Sequence, residues 1–172
     1  GTAGDSRGQI GQAETLNGMP AVNSNAIDTQ VTTLAAQATE GIYVLEVDDV
    51  TIEETEVIAV SPVNFNSTTT TVTDDSLSDL VTTNNGPIKL VSVTGAITVN
   101  DGAAGTIHGN DGLGVDADGT GNVLLQTLVG DVVINADVQS EMGHVTISAA
   151  DDVDQNADVT TGGTGTVYVA AF

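Results

Sequence analysis

With 172 residues, 40% of them apolar, the chain can bury a core, but that core must be built without Trp and with Tyr43, Phe65, Tyr168 and Phe172 as its only aromatics. Twenty-four acidic residues against Arg7 and Lys89 give a formal net charge of −22, which excludes nucleic acid as a partner and argues against an anionic membrane surface, because both need a basic patch. The absence of Cys removes any disulfide framework or thiolate metal site, and no apolar run approaches the roughly 18 residues of a membrane span.

The opening Gly1-Thr-Ala-Gly-Asp lacks the basic and apolar regions of a signal peptide, as expected of a processed form or an excised fragment. Residues 1–30 hold Gly, Asn, Ser and Gln without a sustained period of 2 or 3.6. They read as a polar lead-in or arm, with at most a helical turn at 13–16 that Gly18 and Pro20 stop. From Val31 the pattern changes. Val31 and Leu34 begin a strand, Gly41-Ile-Tyr-Val-Leu-Glu-Val47 alternates, and Asp48-Asp-Val-Thr-Ile52 and 56–63 continue as strand. Residues 64–85 are an excursion: a β-prone Thr run, then Asp74-Asp-Ser-Leu-Ser-Asp-Leu-Val81 as either a short helix capped by Asp74 or Asp75 or an extended loop.

Repetition organises the rest. The units at Gly121 and Gly143, and a third start at Gly165, are 22 residues apart. The first two carry a β-branched alternating run, an Asp-Val step and the string Asn-Ala-Asp-Val. The segment 86–100 aligns with 121–135 without a gap at an offset of 35, so 13 residues are inserted within 101–120. A period this short marks a solenoid rather than a propeller. The sequence predicts an all-β, parallel β-solenoid over 31–172 with coils of about 22 residues and excursions at 64–85 and 101–120. Val123, Leu125, Val132, Ile134, Val145, Ile147 and Val153 are its expected inward residues; an antiparallel β-sandwich is the alternative.

These units, with Gly-x-Val-x-Leu, then Gly-Asp-Val or Asp-Asp-Val, then Asn-Ala-Asp-Val and Thr-Thr-Gly-Gly-Thr-Gly, resemble the degenerate repeats of very large bacterial surface and adhesin-like proteins, the haemagglutinin-type β-solenoid arrays. The resemblance covers 31–172. It implies a secreted or cell-surface, non-enzymatic structural protein: a module of a surface fibre, biofilm-matrix filament or adhesin stalk. A calcium-responsive or carbohydrate-binding adhesin module is the alternative.

Coil stacking gives the recurrent polar residues a structural part. Asn100, Asn135 and Asn156 would superpose at about 4.8 Å, where side-chain amides hydrogen-bond in a ladder. Asp49, Asp131 and Asp152 share another step, at which like charges need water or a cation. Within the insertion, Gly109-Asn-Asp-Gly-Leu-Gly-Val-Asp-Ala-Asp-Gly119 resembles one turn of the calcium-binding nonapeptide repeats. That makes Asp111, Asp116 and Asp118 candidate Ca2+ ligands; the alternative is a Gly-rich loop of solvated aspartates.

Enzymatic chemistry finds little support, since His108 and His144 are a coil apart with no flanking nucleophile motif. The remaining expectation concerns the ends. Val31 and Leu34 at one, and Val167, Tyr168, Val169 and Phe172 at the other, would stack head to tail on copies of the chain or on further repeats.

Overall fold

The computed structural model describes residues 8–11, 15–16, 19–20 and 26–172, and these contain strands and turns but no helix. The N-terminal strands are β1 (Gln9–Ile10), the antiparallel pair β2 (Thr15–Leu16) and β3 (Met19–Pro20), and β4 (Ile27–Thr29). The chain then winds in coils, each laying one strand on each of three sheets. The first coil is completed by β5 (Thr33–Leu34) and β6 (Ala36–Ala38). In the second, β7 (Gly41–Glu46) and β8 (Val50–Ile52) precede an antiparallel hairpin, β9 (Ile58–Val60) and β10 (Val72–Asp74), and then β11 (Leu80–Thr82). The third coil is β12 (Ile88–Ser92), β13 (Ile97–Val99) and β14 (Leu113–Ala117); the fourth is β15 (Val123–Thr127), β16 (Val132–Ile134) and β17 (Asp137–Ser140). The fifth is β18 (Val145–Ala149), β19 (Val153–Gln155) and β20 (Val159–Thr161), and β21 (Val167–Ala171) opens another.

The first face stacks β7, β12, β15, β18 and β21, with β1 and β4 both beside β7. The second stacks β5, β8, β13, β16 and β19, and the third β6, β11, β14, β17 and β20. Every pairing within these faces is parallel. The chain is a parallel β-solenoid, and the antiparallel sandwich is overturned: among the described strands, antiparallel pairing is confined to the two local hairpins.

Register explains how a core without large aromatics works. On the first face Ile42, Ile88, Val123, Val145 and Val167 lie one above another, as do Val44, Leu90, Leu125, Ile147 and Val169. Short strands turn only two or three side chains inward each, so the interior is a bundle of single-residue columns. β-branched and Leu side chains fill such columns well at the inter-strand spacing of about 4.8 Å. Columns from all three faces meet in one buried cluster, in which Ile52, Leu80, Ile88, Leu90, Ile97, Leu125, Ile134 and Ile147 are wholly enclosed. At about 1.5–3 kcal/mol for each fully buried aliphatic side chain, these columns are the main stabilising element.

Glycine sets the corner between the third and first faces. Gly86, Gly121, Gly143 and Gly165 stack there, and a Cβ on any of the last three would fall inside van der Waals contact of the carbonyl oxygen of the glycine one coil earlier. Hydroxyls on the adjoining strand close the same corner: Thr82 Oγ1 donates to the Gly86 carbonyl at 2.6 Å and Ser140 Oγ to that of Gly121 at 2.7 Å.

Along the first face the coils are offset by 46, 35, 22 and 22 residues. Both long coils lose their extra residues at one place, the corner between the second and third faces: 53–79 follow β8 and 101–112 follow β13. The expected excursion boundaries move accordingly. Leu80–Thr82, expected inside the first excursion, is a buried strand of the third face, and Leu113–Ala117, expected inside the second, is another. Residues 74–81 form no helix, because Leu80 and Val81 are taken up by parallel pairing on both sides. Pairing also reaches back before Val31, since Gln9–Ile10 and Ile27–Thr29 flank β7. Of the helical turn expected at 13–16, residues 13–14 lie outside the described residues and Thr15–Leu16 is strand.

Candidate functional site

Two regions outside the aliphatic columns carry organised polar chemistry: the ladders that cross from coil to coil, and the acidic corner from which both excursions leave. In the first ladder Asn156 Nδ2 donates to Asn135 Oδ1 and Asn135 Nδ2 to Asn100 Oδ1, both at 3.0 Å, while Asn100 Nδ2 reaches Glu53 at 3.4 Å. Each amide thus donates to the coil before it and presents an oxygen to the coil after it. Asn135→Ala removes two of these bonds at a partly solvated position and is expected to cost about 1–2 kcal/mol, read as a lower urea midpoint. A midpoint equal to that of the parent would show that the ladder contributes nothing.

The aspartates work differently from a column of like charges. The register places Asp49, Ala96, Asp131 and Asp152 in successive coils at one step, so Ala96 separates Asp49 from Asp131. Asp49 and Asp131 each accept a backbone N–H from the next coil: Ala96 N donates to Asp49 Oδ1 at 2.8 Å and Asp152 N to Asp131 Oδ1 at 3.0 Å. At the neighbouring corner Asp158 N donates to Asp137 Oδ1 at 2.9 Å. Hydrogen bonds from main-chain amides to carboxylates are strong and offset part of the repulsion between the charges.

Three further polar positions carry no obvious sequence signal. His144 Nδ1 accepts the Thr166 N–H at 3.2 Å and lies 2.8 Å from its hydroxyl, so this histidine has a cross-coil part. Glu46 is wholly enclosed, yet its carboxylate takes the Thr29 hydroxyl at 2.6 Å and the Val47 N–H at 2.9 Å. His108, in the second excursion, has its Nε2 buried without a partner.

The ladders end at the edge made by β19, β20 and β21, each paired on one side only. Val145 and Ile147 are fully buried, whereas Val167 and Val169, the next residues in their columns, are 42% and 41% exposed. Tyr168 and Phe172 are exposed beside them. At the other end Val31 is exposed and its N–H points to the Glu46 carboxylate, while Leu34 pairs with Ile52 and packs against the core.

The acidic corner gathers residues from different coils. One carboxylate oxygen from each of Asp79, Asp101 and Asp111 lies within 4.8 Å of the others. Asp79 ends the first excursion with φ at 66° and is wholly enclosed; its Oδ1 accepts the Ser78 hydroxyl at 2.6 Å, and its Oδ2 is buried with no partner. Burial pushes the Asp79 pKa up to about 7; the Ser78 hydrogen bond works against the rise, and the charges of Asp111, Asp101 and Asp116 add to it.

Of the candidate calcium ligands, then, Asp111 converges with Asp79 and Asp101 and not with Asp116 and Asp118. Asp116 projects from the outer side of the third face, where Gln139 donates to it at 3.0 Å. Its pKa is raised by burial, against the Gln139 bond and with help from Glu141, Asp111 and Asp118. Asp118 accepts the Asn85 N–H at 3.1 Å. The single nonapeptide-like turn fails to bring the three together because 113–117 is drawn straight as a face strand. A second group, Asp131, Asp151 and Asp152, lies at an exposed corner. No protein-family model, curated protein or solved structure matches the chain.

Proposed function

We propose that the chain is a non-enzymatic structural module of a fibre, matrix filament or adhesin stalk, lengthened by stacking another coil of the same fold on the edge of β19, β20 and β21. The observation that carries this reading is the polarity of the ladders. Asn135, Asp131 and Asp137 each accept a hydrogen bond from the following coil. Their counterparts Asn156, Asp152 and Asp158 present the same acceptors where no described residue donates to them. The apolar columns stop at the same place, on Val167 and Val169. One further coil would supply the N–H groups, the amide and the apolar row together, and an edge left open in this way is a template for strand addition.

Such a coil comes from a second copy or from further repeats of the same kind. The first case is head to tail and does not close, so it builds filaments. The setting that accompanies this reading is the bacterial surface or extracellular matrix, on the strength of the repeat resemblance.

The test is sedimentation velocity and electron microscopy of the parent chain and of the double variant Val167→Lys, Val169→Lys. Lysines on an edge strand block pairing. The parent is expected to form concentration-dependent, elongated assemblies, and the double variant to sediment as a monomer. Identical profiles for the two would remove the edge as the assembly surface.

A further inference from the structure

We propose that Asp79, Asp101 and Asp111 form a site for one hard divalent cation, calcium in preference to magnesium, which clamps the two excursions together at the corner between the second and third faces. Three acidic side chains alone would be an ordinary solvated cluster. The difference lies in Asp79: it is wholly enclosed, no described residue satisfies its Oδ2, and that oxygen belongs to the residue whose carboxylate meets the other two. A buried carboxylate oxygen without a donor is costly, and a bound ion is one partner that relieves the cost.

The other two carboxylates are already oriented. Asp101 accepts the Asn110 N–H at 2.6 Å through Oδ1 and the Gly112 N–H at 2.8 Å through Oδ2. Asp111 Oδ1 accepts the Leu113 N–H at 2.9 Å. These amide donors fix the direction of both carboxylates at the corner. A proton on Asp79 would neutralise one charge of three; a divalent ion neutralises two and also gives Oδ2 a partner.

The donor set selects the kind of ion. All three ligands are carboxylate oxygens, and the His108 imidazole does not join the group, which points away from zinc and copper. Three carboxylates from loop positions suit calcium, which takes about six to eight oxygen ligands in flexible geometry, better than magnesium, which demands a near-ideal octahedron, keeps several waters and usually takes one or two carboxylates. Water fills the remaining positions.

The site is placed where it would act on the fold. Ser78 N donates to the Ile107 carbonyl at 2.9 Å, Ile107 N to that of Ser76 at 3.2 Å, and Ala103 N to Glu54 at 2.8 Å, so the bases of the two excursions are already stitched edge to edge. An ion shared by Asp79 from one and Asp101 and Asp111 from the other locks that seam. It is independent of the stacking edge, which lies on the fifth coil and β21.

The experiment is calorimetric titration of the chelator-treated full chain with calcium chloride, paired with melting curves in millimolar calcium chloride and in sodium chloride of matched ionic strength. One saturable event per chain is expected, with a dissociation constant on the order of 10⁻⁴–10⁻³ M, the range of low-affinity calcium modules, and a melting temperature raised beyond the sodium control. Asp79→Asn suits the left-handed backbone at this position and should weaken binding at least about tenfold through the loss of one charged ligand. Exposed Asp111→Asn should do the same without disturbing the core. Asp74→Asn, which removes one charge from the first excursion outside the cluster, should leave the titration unchanged. Equal melting shifts in the two salts, unchanged binding in Asp79→Asn and Asp111→Asn, or loss in Asp151→Asn instead would overturn the site. A magnesium shift as large as that of calcium would overturn the choice of ion.

Discussion

Val132→Asp is expected to unfold the chain or bring its urea midpoint close to zero, while Val133→Asp, the next residue on the same strand, leaves the midpoint almost where it was. Val132 is wholly enclosed between Ile97 in the coil before and Val153 in the coil after. Among the described residues the interior holds no Lys or Arg to pair with a new carboxylate, since Lys89 points outward from β12. An uncompensated buried charge costs roughly 3–5 kcal/mol, a large part of a typical total of about 5–15 kcal/mol. A solenoid adds a second penalty. Each coil is held mainly by its neighbours, so a fault in the fourth coil also frees the fifth from the first three.

Val133 faces outward between Thr98 and Asp154. There a carboxylate stays hydrated and meets one like charge across the strands, worth at most about 1 kcal/mol. Far-UV circular dichroism against urea decides the matter: equal midpoints for the two variants would mean that the alternation on β16 is not the boundary between core and solvent.

Both the columns and their alternation are legible in the sequence where the period is undisturbed. The 22-residue steps from Gly121 to Gly143 to Gly165 translate directly into the registers of Val123, Val145 and Val167. The ungapped alignment of 86–100 with 121–135 becomes the pairing of Ile88 with Val123 and Ile97 with Val132. Legibility fails where strands are only two or three residues long and lie far from their partners. Leu80–Thr82 follows an acidic stretch, and a three-residue strand has too little alternation to stand out from the loop before it. Gln9–Ile10 and Ile27–Thr29 flank one strand although 16 residues separate them in the chain.

The acidic corner is hidden for the same reason. Asp79, Asp101 and Asp111 meet because consecutive coils shed their insertions at one corner, a fact of stacking that no local motif encodes. Sequence pattern picked the aspartates nearest to Asp111 along the chain, and strand β14 carries two of those away from it. The Asn column, by contrast, could be read from spacing alone, since each Asn directly follows the last residue of its strand on the second face.

Gly121→Ala is expected to destabilise the chain by about 3 kcal/mol or more, although Gly to Ala at a compatible backbone position normally stabilises by about 0.4–1 kcal/mol through the unfolded state. Gly121 is not among the left-handed glycines, so its conformation itself would accept Ala. What forbids the methyl group is stacking: a Cβ there would collide with the carbonyl of Gly86 in the coil before, and the position is fully surrounded. Overpacking a core side chain costs about 1–3 kcal/mol because neighbours rotate away. Here the neighbour is backbone, and it can retreat only by stretching the ladder that joins β12 to β15 and the Thr82 bond to the Gly86 carbonyl. Gly112→Asn supplies the comparison, for Gly112 has φ at 89° and nothing within 4 Å of a Cβ; Asn tolerates that conformation and should cost no more than about 1 kcal/mol. Urea denaturation followed by circular dichroism measures both. If Gly121→Ala were as stable as the parent, the coils would have slack at this corner, and the close glycine stack could not be what fixes their spacing.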